Sequence, residues 1–391
     1  MSLSQTKKTP PPLYALYLAI FFFALHFALP LYVGSSLLAD YFPPNFIGLF
    51  YAASSLALLP LFGNMPSILR RFGAWRTTLF LMFLEAGAVL ALAYSREGLF
   101  IAMSFIVNQI LVSLLFFNFD IFVEAFSKDE VTGAIRGVML TVFNTAVLLG
   151  PFLAGLILTD GDYYRVYLAS LALLFPAFWI LLTHLNEFRE PQYKKTAYLQ
   201  VIRKIIFAAH PKDAVRHAFT ANLLMRFFFS WMIIYTPLYL RHLGFAWSEV
   251  GKILFIALIP FVLIQYLVGW LIDRQLSEKA MLALAFVLMA VGTFTLVFLP
   301  LSLWWWAGVL FITRIGAAIL EVVSDTAFFR RVKPEEINLI DFFRVSRPLA
   351  YIAGPVVGSL LLTQLSLSSL FPILAVIMLS GLYFTAHLRK V

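Results

Sequence analysis

The chain has no cysteine, which removes disulfides, thiolate nucleophiles and Cys-ligated metals, and leaves compartment redox unread. Charge is scarce as well, at 13% of 391 residues, against roughly 25% in ordinary soluble domains. The six histidines, His26, His184, His210, His217, His242 and His387, are scattered rather than clustered. There is no His-Glu-x-x-His and no Gly-rich phosphate loop. No paired acids, His-Asp dyad or activated serine converge in the pattern an embedded enzyme needs. These absences argue against catalysis and imply neither cofactor nor metal.

What is present is apolar. Hydrophobic residues make up 62% of the chain, and Phe alone accounts for 41 residues. No soluble fold of this length hides so much apolar surface, so lipid must solvate it. A bilayer core about 30 Å thick takes roughly 20 residues per helical crossing. Segments of that kind are predicted at about 13–37, 45–62, 76–95, 98–123, 134–158 and 163–185. A second set falls at about 218–240, 248–271, 279–299, 303–325, 338–363 and 368–387. The basic front at Lys7 and Lys8 before Pro10 has the look of a signal sequence. The apolar run from about Leu13 to Leu38 far exceeds a signal core of roughly 7–15 residues, so it reads as a retained first membrane helix. The fold class is all-α: a polytopic membrane protein of twelve transmembrane helices in two six-helix bundles.

One long gap, between about Asn186 and His217, divides the helices six and six. It sets the organisation as 1–185, an N-terminal bundle; 186–217, a cytoplasmic linker; and 218–391, a C-terminal bundle. Within the linker, Tyr193–His210 interleave Tyr198, Leu199, Val201, Ile202, Ile205 and Ile206 with Lys194, Lys195, Arg203 and Lys204. That is a basic amphipathic helix for the membrane surface, or a docking site for a partner. With the amino terminus, every even-to-odd gap and the carboxyl terminus on one side, that side holds twenty-one of the 29 Lys and Arg. The opposite side holds four, Arg96, Arg165, Arg241 and Lys252. This asymmetry places both termini in the cytoplasm of a prokaryotic inner membrane. The net charge of +9 is thereby topological and does not point to nucleic acid.

Two halves of six helices around a cytoplasmic linker are the layout of a duplicated transporter. Gly269-Trp270-Leu271-Ile272-Asp273-Arg274, between predicted helices eight and nine, is similar to the cytoplasmic loop signature of the major facilitator superfamily. Gly there permits close helix packing, and Asp can cap a helix or pair with Arg across a seam that opens and closes. The first-half copy, Gly63 to Gly73, keeps glycines with Arg70 and Arg71 but lacks the acid and differs in spacing. A second echo links Gly150-Pro151-Phe152-Leu153-Ala154-Gly155 to Gly354-Pro355-Val356-Val357-Gly358. Pro permits a bend and Gly a close helix approach, so all four of Gly150, Pro151, Gly354 and Pro355 read as packing residues. The first copy resembles the helix-five Gly-Pro signature of the superfamily's drug/proton antiporters. Those antiporters carry an Arg in helix four where this chain has Asn108-Gln109, and an acid in helix one where it has only His26. The resemblance spans nearly the whole chain. It implies a monomeric secondary transporter working by alternating access, with helices seven and ten lining the cavity.

Intramembrane ionisable residues are functional candidates by default. Arg314, Glu321 and Asp325 are spaced seven and four apart, on one face of predicted helix ten. Arg314, about 15 Å deep, reads as a substrate-anion or coupling partner, or as half of a salt bridge with Glu321. Asn222, Arg226 and Ser230 form a similar stripe on predicted helix seven, with snorkelling of Arg226 as the alternative. Asp120, Glu124 and Arg136, with Asp341, Arg344 and Arg347 at equivalent positions in the second half, read as ion pairs of a cytoplasmic gate, joined by Gly269, Asp273 and Arg274. Glu85 reads as a hydrogen-bonded packing carboxyl or a proton relay. His26 has the titration range for coupling, or is a lone polar packing residue. Asn108 and Asn144 suit substrate contacts or interhelical hydrogen bonds.

The function expected is secondary active transport of a small-molecule substrate across the lipid bilayer, coupled to protons or another ion. The titrating candidates are Glu321, Asp325, Asp120 and Glu85. Efflux of amphipathic compounds fits the aromatic abundance. Uptake or exchange of a small organic anion fits Arg226 and Arg314. A receptor or an embedded enzyme has less behind it.

Overall fold

The computed structural model describes residues 13–126, 132–158, 162–186, 213–273, 277–332 and 337–387. The amphipathic segment expected at 193–210 and Arg274 lie outside the described residues. Among the described residues there is no strand. The elements are α1 (Leu13–Ala39), α2 (Pro44–Phe72), α3 (Ala74–Tyr94), α4 (Gly98–Phe126), α5 (Thr132–Ile157) and α6 (Tyr163–His184). They continue with α7 (Asp213–His242), α8 (Trp247–Asp273), α9 (Glu278–Thr295), α10 (Leu303–Phe329), α11 (Ile337–Leu361) and α12 (Leu370–Ala386). Counting described residues alone, eleven of them are long and apolar enough to cross a membrane. α11 carries Pro348 and Pro355 inside the helix. It packs against α2 and α7.

α2 outruns the predicted end at about 62 and continues to Phe72. Its last turn carries Arg70 and Arg71, which suit the negative end of the helix dipole beyond the apolar span. α1 is broken after Leu31 and resumes at Gly34. Pro30, just before the break, leaves the His26 carbonyl without its helical N–H partner.

Helix neighbours in the first half map onto the second when six is added to each number. α1 packs on α5 and α6, as α7 packs on α11 and α12; α3 packs on α4 and α6, as α9 packs on α10 and α12. Between the halves, α2 meets α11 and α5 meets α8, the pair the same operation exchanges. Small residues make both seams. A Cβ added at Gly48 would come within 2.5 Å of the Pro355 carbonyl oxygen, and one at Gly251 within 2.5 Å of the Pro151 carbonyl oxygen. Gly150 presses on Ala28 of α1, and Gly354 on Ser230 of α7. The two Gly-Pro segments thus do the same work, close approach of α5 and α11 to both neighbours.

These contacts sit at the ends of the helices away from the basic loops. Phe152 against Phe255, at 5.2 Å between ring centroids, and Tyr163 against Trp247, at 6.1 Å, extend the same seal. Toward the basic face, one described hydrogen bond joins the bundles, from Asn144 Nδ2 to Gln265 Oε1 at 3.2 Å. The bundles are therefore locked at the far face and lightly joined at the basic one.

Candidate functional site

Arg314 is the twelfth of 27 residues in α10, near mid-membrane, and is 1% exposed. Its guanidinium carbon lies 5.3 Å from the Phe228 ring centroid and 6.0 Å from that of Phe229, both on α7. Tyr32, in the break of α1, is within hydrogen-bonding reach of it, and Tyr351 of α11 is near enough to act on it electrostatically. Its Nε and Nη1 have no hydrogen-bond partner, and no carboxylate among the described residues pairs with it. A charged side chain at the bilayer centre costs roughly 3 kcal/mol even on insertion scales. Aromatic faces recover about 0.5–2 kcal/mol of that, so the site is built for a cation but lacks its anion.

Glu321 answers a different arginine. Arg226 Nη1 lies 3.2 Å from Glu321 Oε1, each side chain being 24% exposed. Gln265 Nε2 donates to Glu321 Oε2 at 2.9 Å, and so ties the pair to Asn144 across the bundles. A turn away, Asn222 Nδ2 donates to Asp325 Oδ1 at 3.0 Å and to Ser324 Oγ at 3.2 Å, and accepts from Ser346 Oγ at 2.8 Å. The salt bridge considered between Arg314 and Glu321 is thus replaced by Arg226–Glu321. The snorkelling alternative for Arg226 falls with it. Gln265 was missed, although an amide inside the apolar run of α8 is itself a signal.

Between the bundles lies a cavity of about 180 Å³, bounded by α1, α2, α4, α7 and α11. Its walls are mainly apolar, with Tyr51, Ser54, Ser55, Gln109, Ser113 and Arg347 as the polar exceptions. Arg347 was expected at the gate. It lines this cavity instead, its guanidinium 5.9 Å from the Tyr351 ring centroid, because it sits one turn before Tyr351 on α11. Tyr351 also lines the cavity, and so stands between two arginines, Arg347 in the wall and Arg314 behind it.

Most of the other gate assignments fall on side chains outside the described residues. Asp120 and Glu124 are exposed at the end of α4. The side chains of Arg136, Asp273, Asp341 and Arg344, and Arg274 entirely, lie outside the described residues. Gly269 does not serve a close helix approach, since a Cβ added there meets nothing within 4 Å.

A second polar cluster sits inside the first bundle. His26 Nε2 of α1 lies 3.3 Å from Glu85 Oε1 of α3, and Asn108 Nδ2 of α4 donates to the same oxygen. His26 Nδ1 is 2.9 Å from the Ser170 carbonyl of α6, and Ser170 Oγ donates to the His26 carbonyl at 2.9 Å. Glu85 is 0% exposed and its Oε2 has no partner. His26 is therefore not the lone polar residue it resembled, and Asn108 serves Glu85. Ser170 was not identified from the sequence, because a single Ser in an apolar helix carries no signal.

Comparison with known proteins agrees with this architecture. The human organic anion transporter MFSD10 (TETRAN) superimposes with a TM-score of 0.65 at 15% identity, over 95% of this chain and 98% of that one. The xylose transporter XylE from E. coli in its inward-open conformation gives 0.72 at 11% identity, covering 97% of each chain. A D-xylose–proton symporter gives 0.74 at 13% identity, over 96% of this chain and 98% of that one. No curated protein matches the sequence. The family model of the Major Facilitator Superfamily matches residues 16–340, most of the chain and parts of both bundles. The chain belongs to the Major Facilitator Superfamily, and is a secondary transporter of that family.

Proposed function

We propose that the substrate is a small organic anion with an apolar body, carried between the bundles by a monomer working through alternating access. The observation that carries this reading is Arg314: buried, ringed by Phe228, Phe229, Tyr32 and Tyr351, with two unpartnered guanidinium nitrogens and no carboxylate partner among the described residues. A carboxylate, sulfonate or phosphate would complete it with a charge-assisted hydrogen bond to a vacant guanidinium nitrogen. Arg347 on the cavity wall supplies a first attraction, and the apolar lining receives the rest of the molecule. The human organic anion transporter among the structural relatives has a substrate class of the same kind, though the argument rests on the arginines. Efflux of amphipathic cations is the weaker reading, because the cavity wall among the described residues offers Arg347 and no carboxylate.

The test is transport in proteoliposomes. Vesicles preloaded with a panel of unlabelled aromatic and aliphatic monocarboxylates are assayed for counterflow of labelled benzoate. Accumulation that saturates and is abolished in Arg314→Gln supports the reading. Exchange of amphipathic cations with no response to any carboxylate overturns it.

A further inference from the structure

We infer that His26 and Glu85 form a proton-binding site that couples the first bundle to the anion site through the break in α1; this rests on the transport reading above. Three features place a single exchangeable proton there. The Ser170 carbonyl faces His26 Nδ1 at 2.9 Å, so Nδ1 carries hydrogen and Nε2 faces Glu85 Oε1. The 3.3 Å Nε2–Oε1 contact then holds one proton, on the imidazole or on the carboxyl. Without it, two acceptors would face each other and a net negative charge would sit at a fully buried position with Asn108 as the remaining donor. Taking up one proton from water brings the pair from −1 to 0, and releasing it restores the charge.

A cavity lies against the pair. A small cavity of about 10 Å³ is lined by His26, Asn108, Gln109 and Tyr167, room for about one water molecule. Gln109 and Val112 line both this cavity and the larger one between the bundles. His26 reaches this wall and Glu85 does not, so the proton enters at the imidazole. The facing groups are few: His26 from α1, Asn108 from α4, and Ser170 and Tyr167 from α6, with no Lys or Arg among those acting on Glu85.

The link to the anion site runs along α1. Pro30 lacks the N–H that would bond the carbonyl of the residue four before it, which is His26. Ser170 Oγ takes that carbonyl at 2.9 Å instead. Two residues past Pro30, Tyr32 is within hydrogen-bonding reach of Arg314 in the other bundle. Protonation therefore acts at the residue whose carbonyl the kink releases, and the far side of the kink contacts the substrate arginine. Proton and anion bias the same bistable element.

The natural absence of cysteine makes the test direct. Spin labels on Val138→Cys and Leu267→Cys, at exposed sites on α5 and α8, report the separation of the bundles in lipid. Distances are measured at about pH 5 and about pH 8, spanning the histidine range, with and without benzoate. The expected result is a pH-dependent distance distribution that becomes pH-independent in Glu85→Gln and in His26→Gln. Arg314→Gln should keep the pH response and lose any benzoate response, which separates failure of the anion reading from failure of this one. A Glu85→Gln protein that shifts with pH like its parent overturns the proposal, as does a parent that shows no shift. If Glu85→Gln does not fold, infrared titration of the otherwise unmodified chain replaces it. A carboxyl C=O band whose midpoint moves in His26→Gln supports the shared proton, and an unmoved midpoint overturns it.

Discussion

Arg226 holds Glu321 at 3.2 Å, and Arg314, two turns earlier on the helix that carries Glu321, has no carboxylate partner among the described residues. The division of labour between two arginines follows. Arg226 belongs to a hydrogen-bonded chain that runs through Glu321 and Gln265 to Asn144 in the opposite bundle. Arg314 belongs to an aromatic enclosure with vacant donors.

An unpaired buried charge is a stability cost maintained for binding. Arg314→Met should therefore raise the melting temperature of the unliganded protein while removing its response to carboxylates. Hydrogen bonds to a charged group contribute about 1.5–3 kcal/mol each, so affinity should fall at least roughly tenfold. Differential scanning fluorimetry of both proteins across a benzoate series reads both effects. A variant that is less stable and binds equally well would show that Arg314 is a packing residue.

Arg226 and Glu321 should behave as a coupled pair. Glu321→Gln alone leaves Arg226 partly buried without its partner, and Arg226→Gln alone leaves Glu321. The double variant should recover part of the loss, with a coupling of about 1 kcal/mol for a pair this exposed. A double-mutant cycle on thermal unfolding measures it. Strict additivity would mean that the 3.2 Å contact carries no energy.

The far-face seam depends on the lack of a side chain at Gly48 and Gly251. Gly251→Val should disfavour the far-closed arrangement and draw the basic ends together, shortening the distance between labels at Val138→Cys and Leu267→Cys. Gly269→Val should leave it unchanged, because nothing lies within 4 Å of the added Cβ. Equal responses from both variants would detach the seam from the conformational equilibrium.

The sequence carried the architecture because lipid imposes it: each crossing must be a long apolar helix with its backbone satisfied internally. The Gly-Pro echo was also legible, since Gly150 and Gly354 each press on the matching helix of their own bundle. The pairings were not. Arg314 and Glu321 share a helical face, yet seven residues at 1.5 Å of rise put their backbones roughly 10 Å apart, while Arg226 on the neighbouring helix reaches Glu321 directly. His26 and Glu85 are separated by 59 residues, and only the packing of α1, α3, α4 and α6 brings them together. Arg347 looked like a gate residue from its place at the start of α11. It lines the cavity because the bundles are apart at the basic face.

The central claim is that Arg314 receives the anion, and equilibrium binding of benzoate to the purified protein tests it most directly. Calorimetric titration of the parent chain and of Arg314→Gln, both in the same lipid nanodiscs, gives the answer. The account predicts saturable binding to the parent and at least a roughly tenfold weaker response in the variant. Equal affinities in the two proteins would contradict it.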